Sequence, residues 1–160
     1  MNWTVTALTE FVQRLMSKGN PLKPCFHAKQ TGEPQNITGA GTEHTWSLTT
    51  EYFDQGGDWS TNTFTAPVTG IYLFSGLAGV YGVTAAATSA FLTLVTSNQT
   101  VYLYMANVSP DFANQPSFCG SAIVEMDAGD TAQMKLTMGG EASDVIDGQS
   151  LSYFSGSLIS

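Results

Sequence analysis

Thr63-Phe64-Thr65-Ala66-Pro67-Val68-Thr69-Gly70-Ile71-Tyr72-Leu73-Phe74-Ser75 is the stretch that decides the fold class of this chain. It reads as a short strand, a turn and a long strand. Pro67 fixes φ and Gly70 accepts a positive φ, so the pair brackets a reversal. Beyond the turn Tyr72 and Phe74 share one pleat face, while Ile71, Leu73 and Ser75 point the other way. Ile71-Tyr72-Leu73-Phe74 is apolar without interruption, and so is Ala122-Ile123-Val124. A strand that is apolar on both sides has both faces covered. The run 131–138 is different: Ala132, Met134, Leu136 and Met138 alternate with Thr131, Gln133, Lys135 and Thr137. That strand has one face for a core and one for water.

Outward from this stretch, short apolar runs broken by Gly, Asn, Asp and Pro recur about every 8 to 12 residues from Pro24 onward, the signature of a sandwich or barrel. The spacing predicts strands over 24–30, 43–48, 50–54, 62–66, 69–80, 89–96, 100–106, 117–126, 130–138 and 150–159. Ser97-Asn98-Gln99 and Asp127-Ala128-Gly129-Asp130 read as tight turns between them. The fold class is therefore all-β, a ten-stranded two-sheet sandwich over 23–160, preceded by a helix and linker over 1–22. In that first segment Leu8, Phe11, Val12, Leu15 and Met16 recur at helical period, Thr6 can cap, and Gly19-Asn20-Pro21 stops the run. So short a helix is marginal alone, and it packs either on its own domain or on copies from other chains. A two-sheet core covers one face of each sheet. The second apolar face of 71–74 and 122–124 then needs another subunit, or this helix, as its cover.

The 160 residues carry 13 Asp and Glu against 5 Lys and Arg, a net charge of −8. Phosphate neutralisation needs basic residues, so nucleic acid is excluded as a partner. Only 11% of residues are charged, where about 25% is usual; 20 Thr and 15 Ser keep the surface wet instead. No apolar run approaches the roughly 18 residues of a membrane span, so membrane insertion is not expected. The first twenty residues lack the pattern of a secretory signal. Cys25 and Cys119 are too few for a disulfide framework and are expected to be free, buried thiols.

Four blocks in order resemble the globular heads of complement C1q, within the tumour-necrosis-factor-like jelly-roll superfamily. The first runs from Phe53-Asp54-Gln55-Gly56-Gly57-Asp58-Trp59 through Thr63–Ser75. The others are Phe91-Leu92-Thr93-Leu94-Val95, then Ser121-Ala122-Ile123-Val124-Glu125-Met126 with its Asp127–Asp130 turn, and Tyr153-Phe154-Ser155-Gly156-Ser157-Leu158. The resemblance implies a jelly roll that assembles as a homotrimer. It places Ile71, Leu73, Ser75, Cys119, Ser121, Ile123, Tyr153 and Ser155 at the subunit interface. Val95-Thr96-Ser97-Asn98 and the block from Met126 to Ala132 look most like bacteriophage tail-fibre and environmental members, and no collagen-like Gly-X-Y run occurs in this sequence.

Catalytic chemistry has little to build on. His27 and His44 are the only histidines, neither in a nucleophile context, and no GxSxG, P-loop or HExxH motif occurs. No enzyme activity is expected. Asp54, Asp58, Asp144 and Asp147 are candidate calcium ligands, because calcium takes six to eight oxygens and the resemblance implies acidic loops meeting at a trimer apex. Trp59, Tyr81, Tyr102, Tyr104 and Phe112 suit stacking and hydrogen bonding to carbohydrate. Sequons stand at Asn2, Asn36, Asn98 and Asn107, of consequence only in a eukaryotic secretory route. The expected function is a trimeric host-attachment head on a virion or an extracellular surface. It would be joined to a preceding fibre, stalk or virion component and bind a cell-surface glycan or protein. The alternatives are a structural trimerisation or capping module, and a secreted complement-like or cytokine-like ligand.

Overall fold

The long strand expected after the Pro67–Gly70 turn runs through the first of two packed sheets, and eleven further strands arrange themselves around it. The computed structural model describes residues 23–107, 115–141 and 143–160. Among these, twelve strands form: β1 (Cys25–Lys29), β2 (Glu43–Thr45), β3 (Thr50–Gln55), β4 (Trp59–Ser60), β5 (Thr63–Thr65), β6 (Gly70–Tyr81), β7 (Ser89–Thr96), β8 (Thr100–Ala106), β9 (Ser117–Met126), β10 (Thr131–Gly139), β11 (Asp147–Gly148) and β12 (Tyr153–Leu158). The expected ten are all present within a few residues. The extra two, β4 and β11, are two-residue strands whose sequences carry no alternation to read. The expected helix lies outside the described residues.

The first sheet runs β3-β1-β12-β6, with β9 and the short β11 sharing the far edge of β6; the second runs β4-β5-β10-β7-β8, with β2 beside β10. Neighbouring strands are antiparallel throughout. Pleat alternation sends Phe26, Tyr72, Phe74, Phe118, Val124 and Phe154 inward from the first sheet. Leu92, Leu94, Met134, Leu136 and Met138 meet them from the second, all fully buried. At the centre the Phe26 ring stacks on Trp59 at 4.7 Å and Phe64 at 5.0 Å and meets Phe154 edge-on at 5.3 Å. Such ring pairs add about 0.5–1.5 kcal/mol each to their burial.

Two expectations are corrected. Gly70 does not take a positive φ: a Cβ there would meet the Leu158 side chain at 2.6 Å and the Ser160 carbonyl at 2.7 Å, so close approach of the C-terminal strand demands the glycine. The cysteines are free, but neither is buried; Cys25 is half-exposed and Cys119 exposed. Both occupy pleat positions on the side of their strands away from the core.

The sandwich has two distinct ends. At one, the connections 30–42 and 82–88 interlock with residues 140–141 and 143–146. Ile37 and Thr38 exchange backbone bonds with Ile146, Asn36 N–H donates to Asp147 Oδ1 at 2.8 Å, and Thr84 donates its N–H and its hydroxyl to the buried Glu141 carboxylate. At the other, short turns sit beside the point where the described chain begins, with Lys23 Nζ bonded to the Ile159 carbonyl at 3.0 Å.

Candidate functional site

The side of the first sheet turned away from the core is built by the strands' alternate residues. Registration of the five long strands lays these residues out in rows. One row reads Gln55, Cys25, Ser157, Leu73, Ile123; the next reads Phe53, His27, Ser155, Ser75, Ser121; a third reads Lys29, Tyr153, Leu77, Cys119. At about 4.8 Å per strand the face is roughly 19 Å wide. All eight residues expected at an interface lie on it, with Ile71 at one end. The serines of the middle row make it narrow and polar at its centre, with Ser75 and Ser121 hydroxyls 2.7 Å apart.

Its flanks are apolar and open. Ile123 is 63% exposed and Leu73 36%, on strands whose opposite side packs into the core. A bulge between His27 and Ala28 in the pairing of β1 with β3 leaves Tyr52 and Phe53 both beside His27. They are 59% and 52% exposed. The His27 ring lies 5.4 Å from Tyr52, 6.1 Å from Phe53 and 5.4 Å from Tyr153, and Lys29 Nζ sits over Tyr52 at 5.5 Å. With Leu151 these side chains line a shallow hollow. Partial burial, with Lys29 adding repulsion, holds His27 below the usual histidine range.

A family model for the C1q domain matches residues 10–159. The chain belongs to the C1q domain family. In solved structures this C1q domain is similar to the globular domain of zebrafish complement 1qA, with a TM-score of 0.59 and 20% identity over 86% of this chain and 98% of that one. It is also similar to murine APRIL, with a TM-score of 0.55 and 13% identity over 86% of this chain and 99% of that one. At these identities the likeness concerns the fold. No curated protein matches the sequence.

The aromatic residues expected to bind a ligand do not converge in this C1q domain. Trp59 is a core residue stacked on Phe26, which removes it from any surface site: it pairs with Phe64 across β4 and β5 and faces inward. Tyr104 packs on Phe118 at 5.1 Å. Tyr102 is exposed on β8, edge-on to Phe91. Tyr81 stands at the interlocked end beside Glu33, where loss of water and that carboxylate push its hydroxyl pKa up. Phe112 lies outside the described residues.

The four candidate calcium ligands divide between the two ends. Asp54 Oδ1 and Oδ2 accept the N–H groups of Asp58 and Trp59 at 3.0 and 2.9 Å, a turn cap that occupies both oxygens. Asp147 caps Asn36 at the opposite end, where Asp144 lies near His44. Among the described residues no three His, Cys, Asp or Glu side chains gather as a metal site, and these four do not form one within a chain. No helix among them is long and apolar enough to cross a membrane.

Sequence reasoning missed the share of β1 and β3 in the face. Cys25 and His27 alternate with Phe26 and Ala28, a legible signal. The bulge that turns both Tyr52 and Phe53 outward leaves no mark in the sequence.

Proposed function

We propose that this C1q domain is a trimeric, non-catalytic binding head, most like the tip of a bacteriophage tail fibre, that attaches a virion or surface filament to a cell-surface glycan or protein. One observation carries the reading: Leu73 and Ile123 stand open to solvent on strands whose other side is core. The face they belong to is of order 400 Å², the size at which an exposed patch marks an interaction surface. C1q and tumour-necrosis-factor-like domains form trimers and bind receptors.

A closed ring needs two different patches that fit one another. The outward face of the first sheet is one. The other is the side wall where β8 meets β9, which presents Tyr102 at 58% and Met105 at 67% exposure. Docking the wall of one copy on the face of the next covers both, three times over. The N-terminal segment enters at the end marked by Lys23, so a fibre, stalk or virion component joins there. The interlocked loops at the opposite end carry several hydroxyls and flank Tyr81 at the end of β6, and such loops are where scaffolds carry recognition. Three copies of a weak site gain affinity by avidity.

Ile123→Glu tests this reading. The side chain is exposed in the single chain, so folding is expected to change by less than about 0.5 kcal/mol. Sedimentation is expected to show the variant as a folded monomer and the native chain as a trimer. A variant that sediments with the native chain contradicts the reading.

A further inference from the structure

We propose, resting on the trimer reading above, that His27 makes assembly through this face sensitive to pH, protonation of its ring weakening the trimer. On the strand of His27 stands Lys29; on β3 stand Tyr52 and Phe53; on β12 stand Tyr153 and Ser155. None is a carboxylate. Glu51 is next in β3 but pairs with Ala28, whose side chain points into the core, so it belongs to the other side of the sheet. A positive ring at this place therefore faces one cation, three aromatic side chains and a hydroxyl.

The docking strand offers no counter-charge either. β8 is Thr100-Val101-Tyr102-Leu103-Tyr104-Met105-Ala106, without an Asp, Glu, Lys, Arg or His. The acid on the outward side of β9, Glu125, pairs with Ile71 at the far end of the sheet. Seating a strand without a carboxylate over His27 removes water from the ring and brings it no counter-charge, and that loss of water favours the neutral form. Burial and Lys29 already act in that direction in the single chain, below the ordinary value of 6.5. A group whose pKa is lower in the assembled state supports assembly where it is neutral. That support is lost as pH falls through the free subunit's pKa. Each unit of difference between free and docked His27 is worth about tenfold in association per subunit, compounded over three copies.

The test is sedimentation equilibrium of the native chain, His27→Phe and His27→Gln at about pH 7.5 and about pH 5, the range in which histidine titrates. His44→Gln controls for the second histidine, and near-ultraviolet circular dichroism confirms that each subunit stays folded. The expected result is a native trimer that weakens at least tenfold at the lower pH, with His44→Gln following it. His27→Phe and His27→Gln are expected to lose most of that dependence. An unchanged native trimer across the range overturns the proposal, and so does a His27→Gln trimer that weakens as much as the native one. A native chain already monomeric at the higher pH overturns the trimer reading itself, which separates the two failures.

Discussion

Phe26 is the residue through which both sheets communicate: its ring packs with Phe74 and Phe154 from β6 and β12 of its own sheet and with Trp59 and Phe64 from β4 and β5 of the other. Phe26→Ala leaves a cavity at the centre of that stack and is expected to cost about 3–5 kcal/mol, read from urea unfolding. A second residue-scale expectation concerns Asp58. Burial first and Asp54 second raise its pKa above the ordinary 3.8, and its Oδ2 is buried without a hydrogen-bond partner. A carboxyl that holds its proton more tightly when folded costs stability once ionised, so the penalty is present at neutral pH and disappears below the unfolded-state value. Asp58→Asn is therefore expected to melt above the native chain at pH 7, the gap closing as pH falls toward 3.8. A constant gap, or a variant less stable at neutral pH, contradicts this. The inward residues were legible in the sequence, because Phe, Tyr and Met at alternate positions state their face. The fate of Trp59 was not. A lone Trp after an acidic Gly-rich turn reads as a loop aromatic, and only its pairing with Phe64 across β4 and β5 turns it inward.

β6 and β9 pair over ten registered positions, and apolar continuity in both marked them as strands with work to do on two sides. The sandwich closes where β9 passes under β8. There a Cβ on Gly120 would collide with the Leu103 carbonyl. Gly120→Val is expected to open that seam at a cost of about 1–3 kcal/mol, measured by thermal unfolding, and to lower the exchange protection of β8 before that of β10. Equal loss in both strands would show that the seam is not the local weak point. The existence and bounds of the long strands followed from periodicity alone. Bulges and two-residue strands did not, since they depend on partners distant in the chain.

At the scale of the whole molecule, charge and shape divide the labour. A net charge of −8 per chain keeps copies soluble, and in the proposed trimer the burial of Leu73, Ile123, Tyr52 and Phe53 against β8 of the next copy is what holds three together. The proposed trivalent display sets the binding expectation. On a glycan surface the monomeric Ile123→Glu chain should bind at least about a hundredfold more weakly than the native head, and Tyr81→Ala should weaken binding with no change in mass. The need for a second cover on β6 and β9 was legible in the sequence; the wall proposed to supply it was not, because Tyr102 and Met105 show their exposure only once the edge strand is in place. The most direct test is the mass of the native chain in solution at neutral pH, by light scattering behind size exclusion. The account predicts a single species at three times 17.0 kDa, about 51 kDa. A species at 17.0 kDa would contradict it.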